Sequence, residues 1–334
     1  MERRTLRLAA GAMAAGVAVL AVGCSASGAS GPGKRPGPAA SQILPVPFTV
    51  MARYTATMLG LDHPDALAVG LDGNLYVTDL SQRLTVISPS GKVLRRWGGP
   101  GSGPGEFKFV AFDLTTPADV HGKVAIGPDG MVYVSDSGNS RVQVFTPQGR
   151  FVRQSGSFGS GKGQFLHASD LVVDKTGNLY VADEQALNVT KFSPSGQVIW
   201  QIGSASGNPD LVGHHHLAAI DPHGRIVIVN DDLQKVLYVD PSGHVVDAFS
   251  PHYPAGHHAC EATVDAAGNT YVSGCGPHPG APTLVFDRSH RLIAEWPGST
   301  YRLLRSPVFG PGGEVFALAS DGSILKLGIT LPGA

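Results

Sequence analysis

Short apolar, β-branched or aromatic stretches alternate with polar turns along most of this chain, and the alternation is periodic. The Gly closing one kind of tight turn recurs at Gly73, Gly130, Gly177, Gly224, Gly268 and Gly313, in steps of 57, 47, 47, 44 and 45 residues. An apolar stretch precedes the turn, as at 66–69, 171–173 and 217–220, and a β-branched or aromatic stretch follows it, which predicts a hairpin. A third strand and a second turn follow in the same order, as from Leu84 to Gly91, Val142 to Gly149, Val189 to Gly196 and Val236 to Gly243. Four short strands per period of roughly 45 residues cannot bury both faces of one sheet until neighbouring sheets stack around an axis. The pattern therefore predicts an all-β fold, a six-bladed β-propeller over residues 46–331.

The repeats end soon after Ile324 to Leu327, the third strand of the last blade, so that blade lacks its outer strand. Residues 48–57 have strand composition and precede blade one. We read them as the missing strand, a closure that removes the edges through which an open ring would pair with other chains.

The repeat text resembles the NHL repeat family over most of residues 60–327. Gly-rich runs ending in Gly-x-Phe stand between blades, from Trp97 to Phe107 and from Gly156 to Phe165, and Asp136 to Phe145 is close to the family consensus. Blades five and six keep the period and the turn but lack the Asp after the second strand and the downstream Arg. The resemblance implies a six-bladed propeller, used for binding in most members and for catalysis in a few. Some NHL-type propellers, such as the peptide-amidating lyases, bind zinc through a Pro-His pair eight residues before the repeat Gly. Only His216 has His in that register here.

Residues 1–23 read as an export signal, with Arg3, Arg4 and Arg7 ahead of an apolar stretch from Leu8 to Val22. That stretch falls short of the roughly 20 residues that span a bilayer. It ends in Leu20-Ala21-Val22-Gly23-Cys24, which resembles a lipobox, with lipid expected on Cys24; an ordinary signal peptide or anchor is the alternative. The translocase stays open. Residues 24–45 read as the lipidated Cys and a flexible Ser/Gly/Pro/Ala linker, too poor in apolar side chains to fold. The expectation is an exported protein, lipid-anchored to the outer face of the cell membrane or envelope. The net charge of -1 offers no basic face for nucleic acid.

Cys260 and Cys275 flank one predicted hairpin. If Asp265 pairs with Thr270, Cys260 falls opposite Cys275, within reach of a disulfide. Two buried thiols, or a metal-binding or redox pair, are the alternatives.

Ten residues before the repeat Gly stand His63, His167, His214 and His258, and His121 stands nine before. This position opens the innermost strand, so the loops carrying it ring one mouth of the channel. His216, Asp170 and Glu261 enrich that ring. Imidazoles with one or two carboxylates suit a divalent metal, zinc or calcium, the sole cofactor the pattern suggests. Solvated loop histidines are the plainer alternative. No nucleophile elbow, phosphate loop or His-Glu-x-x-His helix occurs. Asp79, Asp136 and Asp183 recur at one repeat position and read as structural. About 11 extra residues fall within 108–121 of blade two and read as an apolar lip over the same mouth. The leading expectation is a non-enzymatic binding module for a protein, peptide or glycan. The alternative is a metal-dependent lyase, lactonase or hydrolase.

Overall fold

A computed structural model describes residues 48–109, 122–253, 255–275, 281–296 and 307–331. Six four-stranded antiparallel sheets form a six-bladed propeller. The innermost strands are Pro64–Val69, Val124–Ile126, Ala168–Val173, His215–Ile220, His258–Val264 and Val308–Phe309. In blades one to five the strands run outward in chain order. Blade six runs Val308–Phe309, Val315–Leu318, Ile324–Ile329 and then Phe48–Tyr54. Phe48 lies opposite Ile329 and Tyr54 opposite Ile324, so the N-terminal strand closes the ring. That strand is shorter than the sequence predicts. Thr55 Oγ1 accepts the Met58 N–H at 3.2 Å and caps a helical turn, Ala56–Leu59, which Gly60 ends at φ +60°. The turn buries Leu59 and carries the chain from the rim of blade six to the hub of blade one.

The core lies between the blades, because each second strand buries both faces. In Leu75–Asp79 every residue is buried. Side chains alternate across a strand, so Leu75 and Val77 pack with Phe316, Leu318 and Ile324 of blade six while Tyr76 packs with Val132, Val134 and Phe145 of blade two. Equivalent clusters fill the other gaps. Each fully buried aliphatic or aromatic side chain contributes roughly 1.5–3 kcal/mol, and the contribution is realised only when the neighbouring blade is present.

The recurring acid after the second strand ties the blade to the loop that enters it. Asp136, fully buried, accepts the Lys108 N–H at 2.7 Å, Arg141 Nε at 2.8 Å and Gln143 Nε2 at 3.1 Å. Asp183 accepts the N–H groups of Leu166 at 2.7 Å and His167 at 3.2 Å. In blade four Asn230 does the same work with Nδ2 donating to Val212 O at 2.8 Å.

Two expectations are corrected in detail. In the blade-five hairpin Val264, not Asp265, pairs with Thr270, and a bulge between Ala259 and Glu261 puts His258 opposite Cys275. Asp265 instead starts the turn and accepts the Asn269 N–H at 2.8 Å. Cys260 and Cys275 are nonetheless joined by a disulfide, with Cα atoms 5.9 Å apart. At the start of the blade-two insertion Phe109 is buried, stacked on Phe107 at 4.9 Å between blades one and two. The rest of the predicted lip, residues 110–121 with His121, lies outside the described residues.

Candidate functional site at the channel mouth

Each innermost strand begins at the same mouth, and four of them are irregular, three near that end and the blade-four strand past its middle. Register shifts fall between Pro64 and Ala66, Ala168 and Leu171, Leu217 and Ala219, and Ala259 and Glu261. A bulge breaks strict alternation and re-aims a side chain. Here it lets acidic residues share the channel with small aliphatic ones. Asp65 Oδ2 accepts the Gly122 N–H at 3.1 Å from the neighbouring blade. Lys123 stands just ahead of Val124–Ile126, and its Nζ lies 2.7 Å from Glu261 Oε1 and 3.5 Å from Asp170 Oδ1.

On the other side of Asp170 stands His216, whose Nδ1 is 3.2 Å from Asp170 Oδ2 and 3.5 Å from Glu184 Oε1. Its Nε2 is 3.9 Å from Asp231 Oδ2. Burial alone would lower the His216 pKa, but bonds to Asp170 and Asp231 and the nearby Glu184 charge outweigh it and raise the pKa to about 10. Burial, with the Asp170 charge adding to it, raises Glu184 to about 7. Asp231 is held below the usual carboxylate range: its burial works upward, and the bond and charge of His216 outweigh that. Beneath this charged cap the channel holds a cavity of about 310 Å³, lined by small side chains such as Ala68, Ala125, Ala218 and Ala262.

The histidines expected to ring the mouth take several different places. His216 joins Asp170 and, through Lys123, Glu261. His167 is 4% exposed and sits behind that group, Nδ1 3.9 Å from Glu184 Oε2, with burial lowering its pKa. His214 is exposed and bonded to Asp232 at 2.9 Å. His63 is exposed in a left-handed backbone conformation, φ +47°, with Nδ1 2.8 Å from Asp62 Oδ1. His258 Nε2 lies 3.1 Å from Cys275 Sγ.

Lys123, Glu184 and Asp231 do not stand ten residues before a repeat Gly, the position that marks the histidines. A signal existed closer in: Asp65, Lys123, Asp170, His216 and Glu261 all stand seven or eight residues before their repeat Gly. Glu184 and Asp231 both stand seven after it.

Asp170, Glu184 and His216 each offer a ligand atom within 4.8 Å of one another, as do His214, Asp231 and Asp232. One imidazole with two carboxylates suits a zinc-like divalent ion. Binding there would require His216 to lose its proton, and the Lys123 ammonium beside Asp170 opposes a second cation. The cluster of His258 with Cys260 and Cys275 offers no thiolate, because both sulfurs are in the disulfide.

These features define a six-bladed β-propeller with a charged cluster at one mouth of its channel. A family model described as a six-bladed β-propeller matches residues 123–206. Among solved structures, a streptogramin B lyase aligns with a TM-score of 0.57 at 11% identity, covering 85% of this chain and 98% of that one. A catalytically inactive virginiamycin B lyase from Staphylococcus aureus with quinupristin aligns at 0.57 and 14% identity, covering 85% and 100%. A gluconolactonase from Xanthomonas campestris aligns at 0.55 and 12% identity, covering 81% and 87%. At these identities the likeness is one of fold.

Proposed function

We propose that this chain is a lipid-anchored propeller of the cell envelope, exported by its N-terminal signal and held through Cys24, that acts as a binding module. Its ligand is a protein, peptide or glycan engaged by the channel-mouth face. One observation carries the reading: Lys123, Asp170, Glu184, His216, Asp231 and Glu261, from four blades, converge on one mouth. Maintaining so many charged groups together costs desolvation energy that a purely structural hub would avoid with aliphatic side chains. Carboxyl groups outnumber cationic ones in the cluster, so the mouth favours a ligand that presents a cationic group. Titration of the full chain with basic and acidic peptides and with neutral and amino-sugar glycans tests this. Binding confined to acidic ligands, unaffected by Asp170→Asn with Glu261→Gln, would overturn it.

A second reading, a metal-dependent lyase, lactonase or hydrolase, is favoured by the close approach of Asp170, Glu184 and His216. A lyase and a gluconolactonase share the fold. In that reading the three residues hold the ion, which supplies Lewis acidity. Glu184, a buried carboxyl beside Asp170, would be ionised by the ion it holds. Metal analysis after exhaustive dialysis, followed by assay on lactones, separates the two readings: stoichiometric metal with turnover lost in Glu184→Gln supports the enzyme, and absence of both supports the binding module.

A further inference from the structure

We propose that the Cys260–Cys275 disulfide is a thiol-exchange site for a dithiol reductant, and that its opening releases Glu261 from Lys123 at the channel mouth. Cys260 is the extra residue of the bulge between Ala259, paired with Gly274, and Glu261, paired with Ser273. The disulfide ties that bulge to the end of the neighbouring strand, Thr270–Cys275. Glu261, the next residue, takes its aim from the bulge and accepts Lys123 Nζ at 2.7 Å. Both cysteines are half-buried rather than sealed in the core.

The two sulfurs are not equivalent. His258 Nε2 lies 3.1 Å from Cys275 Sγ, whereas Cys260 Sγ has His258 O at 3.8 Å. In the tautomer that carries its proton on Nε2, His258 stabilises negative charge on Cys275 Sγ, which makes Cys275 the better leaving group and directs attack to Cys260. A thiolate of the dithiol attacks Cys260 Sγ. The S–S bond breaks with its electron pair on Cys275 Sγ, which takes up a proton through His258. The second thiolate of the reductant attacks its own sulfur in the mixed disulfide, forms a cyclic disulfide and releases Cys260, which is protonated from solvent. Two electrons and two protons pass from the dithiol to the protein. This step stands whatever the mouth binds.

The test uses the full chain and two readouts. Brief exposure to glutathione, with an acid quench before the released thiol or a second glutathione resolves the mixed disulfide, followed by alkylation and peptide mapping, locates the adduct. We expect it on Cys260 by roughly threefold or more over Cys275, with the bias lost in His258→Gln. Equal adducts, or an adduct mainly on Cys275, would overturn the assignment. In parallel, the acetylation rate of Lys123 is compared before and after reduction with dithiothreitol. We expect a rise on reduction that matches the rate in oxidised Glu261→Gln, with circular dichroism unchanged. A Lys123 rate indifferent to reduction would overturn the link to the mouth, and a collapse of the circular dichroism signal would show the disulfide to be a fold staple rather than a latch.

Discussion

Lys123 and Glu261 meet at 2.7 Å although they come from blades two and five, which face each other across the ring. The pair bridges the channel mouth and lines its cavity, and Asp170 braces it from blade three at 3.5 Å from the same Nζ. A positive charge thus stands where a divalent ion at Asp170, Glu184 and His216 would feel it. Replacing it with a neutral side chain of similar length should raise cation affinity. For Lys123→Met we expect zinc to bind about tenfold more tightly, in line with the usual pKa effect of one nearby charge. Calorimetric titration of both proteins at one pH and salt concentration checks this. Equal or weaker binding by the variant would show that the ammonium and the ion do not compete.

Ring closure rests on a strand far from its partners in sequence. Removing residues 48–54 strips Ile324–Ile329 of its outer neighbour and uncovers the cluster that joins Phe48 and Val50 to Trp296 and Leu327. We expect the deleted protein to melt well below the parent and to expose a protease-sensitive blade six. Thermal denaturation with limited proteolysis decides the matter, and an unchanged melting temperature would mean that the ring is held elsewhere.

Asp136 has four donors around a fully buried carboxylate: the Lys108 N–H, Asn139 Nδ2, Arg141 Nε and Gln143 Nε2. Asp136→Ala leaves the Arg141 guanidinium buried without its counter-charge. Such losses cost roughly 3–5 kcal/mol. Chemical denaturation should register it, and a loss below about 1 kcal/mol would indicate that the carbonyls of Gly103 and Glu106, which Arg141 also bonds, suffice for its charge.

His215 is 2% exposed, and neither ring nitrogen has a hydrogen-bond partner among the described residues. Burial, followed by the positive charge of His216, lowers its pKa to about 4 from an ordinary 6.5. Between those values the unfolded chain binds more protons than the folded one, so His215 favours the fold above pH 6.5 and progressively loses that contribution as pH falls toward 4. His167, also lowered, acts in the same direction. Glu184 acts oppositely: its pKa is raised from 4.5 to about 7, so its contribution is greatest at acid pH and declines as pH rises through 7. We expect His215→Gln to flatten the dependence of unfolding free energy on pH between 4 and 6.5 by up to one proton. An unaltered slope would mean that His215 titrates normally in the fold.

The propeller was legible because its signals are local. A left-handed Gly closes each repeat turn, with φ from +74° at Gly73 to +83° at Gly177, and two-sided burial of the second strand puts apolar residues at successive positions, as in Leu75-Tyr76-Val77. The outer strand of blade six was legible from what the last repeat lacked. The blade-five register was misplaced by one residue at the turn, which Asp265 starts, and by a second at Cys260, because nothing in the sequence distinguishes a bulged residue from a paired one. The mouth was half legible for the same reason. His216, Asp170 and Glu261 could be named, but the strand irregularities that turn them toward one another, and the Lys123 that joins two of them, depend on pairing across blades.

The working site is expected at the charged mouth rather than on the turn face at the other end of the channel. A thermal-shift screen of divalent cations, peptides and glycans tests it most directly when run on three proteins: the parent, Asp170→Asn with Glu261→Gln, and Asp129→Asn with Lys175→Ala in the turns. We expect ligands that stabilise the parent and the turn variant but lose their effect on the mouth variant. Ligands that still stabilise the mouth variant and fail on the turn variant would contradict it.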